Sequence, residues 1–297
     1  MRPVEWAETL AVLQSVSLAD VHSDVRARVV AIEGTLATLE LPALDGETSA
    51  EQLLAACVSG EWADRGDVES CRLVSLEWPT GLPGPAFGAA ADVQVGAIIK
   101  PALGLTADAA ARVAARLVTT TGAVLVKDDE LQRSSPERVR AVNAAIPDDV
   151  LYAANATGVD AAELVAAGAR ALMVNAFIAG LGSITRLREF GVPVFVHRVG
   201  SAFLRRSARV SVSARVLAEL TRLLGGDYVQ VGSFSPRMFD SDDDVREQIA
   251  ACHDELHAVK RATAVIGGGV GPANAAEQLE RAGTRDAVML LYGSSAY

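Results

Sequence analysis

The densest run of reactive side chains is Lys127-Asp128-Asp129-Glu130, which directly follows the apolar residues Ala123 to Val126. Two carboxylates so placed, Asp129 and Glu130, can hold a hard divalent cation such as Mg2+ and still leave positions for substrate and water. Lys127 admits two readings. Protonated, it is an ion-pair partner that neutralises the acids; deprotonated and combined with CO2, its carbamate adds a third anionic oxygen ligand. As an isolated string, the run also fits a solvated charged turn. His197-Arg198 is a second candidate pair, since imidazole can polarise an oxygen and guanidinium makes the forked contacts that phosphate favours. Taken alone, His197 more often reads as a satisfied core histidine and Arg198 as a surface or ion-pair residue. Lys100 next to a divalent cation would lose its proton more readily and serve as a base at neutral pH. Gly267-Gly268-Gly269 precede PANAAEQLERAG, and Gly293-Ser294-Ser295 end the last apolar run. Their amides fit an anion site, although plain tight turns explain the glycines too.

The elements that must position these groups alternate regularly. Apolar, β-branched runs predict eight strands, at 95–100, 123–128, 150–156, 171–177, 192–198, 228–233, 263–269 and 287–293. Amphipathic segments lie between them, including 106–120, 160–170, 213–224 and 272–283. Near-continuous apolar strands are those buried on both faces, so the pattern predicts an α/β fold with a (β/α)8 TIM barrel over 89–297. A doubly wound sheet is the competing arrangement. In a barrel the chemistry sits at the carboxyl ends of the strands. Lys100, the 127–130 run, Asn155, Asn175, His197 and Arg198 all fall at or near such ends.

Residues 1–88 read as a small α+β N-terminal domain: an amphipathic opening, a β-rich run at 27–41, a helical stretch at 49–60 and a strand at 70–79. The Pro- and Gly-rich segment 79–88 predicts a linker. Half of the 297 residues are hydrophobic and mean hydropathy is +0.25, which excludes a disordered chain. Twenty-seven basic against 37 acidic residues give a net charge of −10, which argues against nucleic-acid binding. Any anionic substrate must be captured locally. Cys57, Cys71 and Cys252 are scattered, with no CxxC pair, and are expected to be reduced core thiols. Without a signal-peptide core or an apolar run of about 18 residues, the expectation is a soluble, cytoplasmic protein with no membrane segment.

The strand-end strings GAIIKPALGLT, VLVKDDE, LYAANATG, VFVHRVGSAF and AVIGGGV resemble, in the same order, the signature segments of the ribulose-bisphosphate carboxylase/oxygenase (RuBisCO) large subunit and of the RuBisCO-like (form IV) proteins. The likeness covers about residues 88–293, and against that family the chain reads as shortened at both ends. It implies a TIM barrel, a Mg2+ cofactor held by carbamylated Lys127 with Asp129 and Glu130, Lys100 in proton transfer and His197 near the reacting oxygens. It further implies phosphate contacts from Arg198, Gly268, Gly269 and Gly293. Ser294 stands for one of the family's glycines, and Arg237 is at best the counterpart of its mobile-loop lysine. Other departures are Ala102 for a second lysine, Ile98 for a threonine, Gln230 for a histidine, Gly267 for a serine and Pro85 near a required asparagine. Together they imply that carboxylation is lost.

The activity so implied is Mg-dependent enolisation or isomerisation of a singly phosphorylated keto-sugar-like substrate by a homodimer. An inactive barrel kept as a binding or regulatory protein is one alternative, because the chain ends four residues after the last strand. A metal-dependent decarboxylase or aldolase sharing the enolate is another, and a residual carboxylase is disfavoured by Ala102.

Overall fold

The structure, a computed structural model, describes residues 6–14, 28–33, 36–42, 71–76, 78, 81–207, 210–256 and 258–296. The helical expectation over 49–60 lies outside the described residues. The chain divides into two compact units, one formed by residues 1–82 with 200–220 and the other by residues 83–199 with 221–297.

In the first unit, β1 (Trp6–Gln14), β2 (Arg28–Glu33), β3 (Leu36–Pro42) and β4 (Cys71–Leu76) build an antiparallel sheet. The opening residues are thus a strand, and the β-rich run is two strands in a hairpin register. A short strand that the sequence pattern did not reveal, Val210–Val212, pairs in parallel with β4 and completes the order. Trp78 is buried here and donates its indole N–H to Glu219 Oε2 at 2.9 Å.

The second unit is a closed barrel of eight parallel strands: β5 (Gln94–Ile98), β6 (Leu125–Lys127), β7 (Leu151–Asn155), β8 (Ala171–Val174), β9 (Val194–Val196), β11 (Tyr228–Gly232), β12 (Thr263–Gly267) and β13 (Val288–Tyr292), with β10 the 210–212 strand. Each of the eight lies within or next to an expected run. The helices are set by local chemistry. Thr106 caps α1 (Ala107–Thr121) by accepting from Ala109 N, and Gly122 ends it in the left-handed region at φ +67°. Ser135 caps α2 (Pro136–Ala145), which has proline in its first turn.

Side chains alternate across each strand. Leu125, Ala153, Ala171, Met173, Phe195, Val265, Met289 and Leu291 meet as one buried apolar layer inside the barrel. A second cluster, including Val229, Val231, Ile249, Ile266, Val288 and Leu290, packs outside β11–β13. Burying each large aliphatic side chain contributes roughly 1.5–3 kcal/mol, so the two layers dominate the stability of this unit. Gly96 is required inside: a Cβ there would come 2.7 Å from Met289 Sδ.

Outside the barrel wall, Asp128 is fully buried and collects an unusual set of donors. Arg138 reaches it through Nε and Nη2 at 2.8 Å each, Tyr152 through its hydroxyl at 2.5 Å, and Ser134 through Oγ. Burial and the neighbouring Asp128 charge push the Tyr152 phenol well above its ordinary range. Removing one partner of a buried ion pair strands the other charge, at a cost of about 3–5 kcal/mol. Asp128→Asn is therefore expected to destabilise the protein by that amount in urea unfolding; a loss under about 1 kcal/mol would show that Arg138 finds other compensation.

Candidate active site

The alternation that builds the apolar layer also builds the polar one above it. Two residues beyond Leu125, Ala153, Met173, Phe195 and Tyr228 come Lys127, Asn155, Asn175, His197 and Gln230, and all five are buried. Beyond Val265 and Leu291 come Gly267 and Gly293, which leave that side of the layer without side chains. The polar groups therefore line the carboxyl end of the barrel.

Lys127 is fully enclosed. Its ammonium donates to the Asp128 carbonyl at 2.6 Å, lies 3.3 Å from Met173 Sδ and faces the Phe195 ring at 5.6 Å. Burial disfavours the charged form and outweighs the attraction of Glu130, Asp129 and Asp128, so the amine titrates at about 8 rather than 10.5. Asp129 pairs with Lys100 and accepts from the Leu131 amide at 3.2 Å. Burial alone would raise its carboxyl; the Lys100 and Leu131 contacts override that and hold it below the ordinary range. Asn155 Nδ2 donates to the carbonyls of Asp129 and Glu130 at 3.4 and 3.2 Å, and Asn175 Nδ2 donates to the Glu130 carbonyl at 3.0 Å. The two asparagines thus pin the acidic loop from the neighbouring strands.

Glu130 Oε2 lies 3.6 Å from His197 Nε2. The Val199 amide donates to His197 Nδ1 at 3.2 Å, so Nδ1 is unprotonated and the neutral ring carries its proton on Nε2, towards Glu130. Burial, with the charges of Lys127, Arg198 and Lys100, keeps His197 well below its ordinary pKa. Lys100 with Asp129 and Glu130 with His197 thus make two pairs, and the charge of Lys127 is felt by both of them.

The residues expected to contact phosphate lie in the loops after β9, β11, β12 and β13. Arg198 pairs with Asp240 at 2.5 Å, and Gly232, at φ +93°, provides the room that a side chain would deny its guanidinium. Arg237 is exposed and its amide donates to Ser235 Oγ at 3.3 Å. Gly268 and Gly269 have φ of +117° and +75° and pack under the loop after β11, where Ser233 Oγ donates to the Gly268 carbonyl at 2.5 Å. The Gly293 amide donates to the Val270 carbonyl at 3.3 Å, and Ser294 begins a 3-10 turn. No local pattern pairs Asp240 with Arg198 or Asp128 with Arg138, because the partners stand 42 and 10 positions apart.

Residues 85–296 match the family model for the ribulose bisphosphate carboxylase large chain, catalytic domain. The chain belongs to this family. Within the RuBisCO family it is similar to a ribulose bisphosphate carboxylase-like protein of Allochromatium vinosum, 30% identical over 266 residues that cover 79% of this chain and 58% of that one. A 3-oxo-isoapionate-4-phosphate decarboxylase of Rhizobium rhizogenes is 27% identical over 280 residues, 83% of this chain and 66% of that one. The chain thus spans about three fifths of the length of the curated RuBisCO-like relatives it matches. Among solved folds, a rubisco-like protein from Burkholderia fungorum superposes with a TM-score of 0.83 at 24% identity, covering 97% of this chain and 88% of that one.

No three His, Cys, Asp or Glu side chains are grouped as a metal site among the described residues, and no described helix is long and apolar enough to cross a membrane. The donor chemistry fits a hard cation when a carbamate on Lys127 joins Asp129 and Glu130. Lys127 also leaves a thermodynamic signature. Between pH 8 and 10.5 the unfolded chain binds the proton that the folded chain has released, so stability rises with pH across that window. In bicarbonate-free buffer, Lys127→Met is expected to raise stability at pH 7 and to flatten that rise in denaturant titrations. An unchanged slope would mean that Lys127 titrates normally.

Proposed function

We propose that this RuBisCO-family chain catalyses enolisation or isomerisation of a phosphorylated keto-sugar-like substrate, with Mg2+ as cofactor and a homodimer as the working form. The observation that carries the reading is the buried Lys127 amine, lowered to about 8, within electrostatic reach of the Lys100–Asp129 and Glu130–His197 pairs. An amine that is partly neutral near physiological pH can combine with CO2, whereas an ammonium cannot. Lys127 as carbamate, Asp129 and Glu130 would hold the cation, and it would supply Lewis-acid stabilisation of charge developing on a substrate oxygen.

The remaining steps belong to the chain. Lys100 Nζ is the group placed to take the proton from the carbon beside the keto group, and the pair of electrons left behind forms the enol double bond. His197 Nε2–H, on the Glu130 side of the ring, donates to an oxygen of the enediol. Asn155 and Asn175 fix the acidic loop through its carbonyls. Gly268 and Gly269 offer the turn against which a phosphate can lie.

A second reading has support in the Rhizobium rhizogenes relative, whose name specifies decarboxylation of a phosphorylated 3-oxo acid. Loss of CO2 from such an acid leaves the same enolate, and the same groups would stabilise it. The two are separated by product: solvent deuterium enters a ketose phosphate in the first case, and CO2 leaves a phosphorylated 3-oxo acid in the second.

The decisive experiment is Mg2+ binding with and without bicarbonate, for wild type and Lys127→Ala, followed by deuterium exchange into ketose phosphates. Binding that needs both bicarbonate and Lys127, with exchange lost in the variant, is the expected result. Absence of Mg2+ binding under either condition would leave the barrel as a binding protein.

A further inference from the structure

The segment that carries Asp129 and Glu130 runs from Asp128 to Ser134, between β6 and α2, and its two ends meet. Ser134 is 5% exposed and bonds in three directions. Its Oγ donates to Asp128 Oδ2 and accepts from the Asn155 amide at 2.8 Å, and its own amide donates to the Asn155 carbonyl at 3.2 Å. From there a circuit of hydrogen bonds leads around the loop. Asn155 Oδ1 accepts from the Thr157 amide at 3.0 Å, which fixes the side chain with Nδ2 towards the Asp129 and Glu130 carbonyls. Thr157 Oγ1 accepts from the Asn175 amide at 2.9 Å, and Asn175 Nδ2 returns to the Glu130 carbonyl. Within the loop the Gln132 amide donates to the Asp129 carbonyl at 3.1 Å. The backbone that bears the two carboxylates is therefore tied at both ends, and along its length, to the ends of β7 and β8.

The Ser134 hydroxyl adds little to its other neighbours. Ser135 caps α2, and Arg138 and Tyr152 already hold Asp128. What Ser134 supplies is the link between the far end of the loop and β7. Resting on the reading of Lys127, Asp129 and Glu130 as the cation site, we propose that Ser134 is a positioning residue: by closing the base of the loop it fixes the spacing of the two carboxylates and makes the site favour Mg2+ over the larger Ca2+. Mg2+ requires oxygens at about 2.0–2.1 Å in near-octahedral order, whereas Ca2+ takes them at about 2.3–2.6 Å in looser sets. To admit Ca2+ the carboxylates must draw apart, and bonds to Asn155, Asn175 and Ser134 resist that movement. Cutting the base keeps both carboxylates as ligands but lets the segment widen.

The test is calorimetric titration of the full chain with Mg2+ and with Ca2+, in the presence of bicarbonate, for wild type, Ser134→Ala and Tyr152→Phe. Tyr152→Phe removes another donor to Asp128 Oδ2 and leaves the bonds between Ser134 and Asn155 in place, so it controls for lost stability. Wild type is expected to bind Mg2+ at least about tenfold more tightly than Ca2+, the equivalent of one well-made hydrogen bond. In Ser134→Ala the preference should fall by about that factor, while Tyr152→Phe keeps the wild-type ratio even where its melting temperature drops as far. If Ser134→Ala does not fold, Ser134→Cys, close in volume but a weak donor and acceptor, is expected to shift the ratio in the same direction. A wild-type ratio near one overturns the inference, and leaves the enolase reading standing where Mg2+ binding still requires Lys127 and bicarbonate. An undiminished ratio in the Ser134 variant also overturns it, as does an equal fall in Tyr152→Phe, which would make the effect one of general stability. Failure of wild type to bind either cation overturns the inference and the reading beneath it together.

Discussion

A strand in a closed parallel barrel has only two directions for its side chains, and everything at this site follows from that restriction. Every second residue must enter a space already filled by Leu125, Met173, Phe195 and Met289. Two residues further along each strand the apolar filling stops, and the next inward residue stands at a boundary between oil and opening. Lys127, Asn155, Asn175, His197 and Gln230 occupy that boundary because of their parity, not because of any affinity for one another. Slipping one strand by a single residue would exchange an inward lysine for an outward aspartate.

The same parity divides the acidic run into parts with opposite duties. Lys127 and Asp129 point in; Asp128, between them, points out to Arg138, Tyr152 and Ser134. The outward clamp satisfies a charge that has no other route to compensation, and in doing so it holds the turn from which the inward groups project. Electrostatics at the mouth are then local: a protein with a net charge of −10 gathers Lys100, Lys127 and Arg198 around two carboxylates and a neutral histidine. Long-range attraction plays no part in recruiting an anion here.

Much of this was legible in the sequence. The eight barrel strands could be read because strands buried on both faces are continuous apolar runs, and the reactive residues could be read because they terminate those runs. What stayed hidden needed pairings across long separations. Arg198 reads as a phosphate ligand, and its second partner, Asp240, stands 42 residues later, beyond the reach of any local pattern. Asp128 reads as one acid among three until Arg138 is placed on it. Asn155 and Asn175 show no pattern of their own, since a buried amide is recognised by the groups it meets. In the first unit, β1 reads as an amphipathic opening, and the three residues Val210–Val212 are too short to carry a period-two signal.

That short strand has a consequence for synthesis. The sheet of the first unit begins at Trp6, yet β4 receives its last neighbour only from residues 210–212, and Ser213 Oγ then bonds to the Val74 carbonyl across 139 positions. During translation the growing chain must carry an unpaired β4 edge while five barrel strands are made and leave the ribosome. Such an edge invites association with other chains, and contacts of this sequence separation form slowly. An N-terminal piece cut at the Pro- and Gly-rich segment would keep that edge exposed permanently, so the most natural cleavage point by composition is a poor one for obtaining a folded fragment.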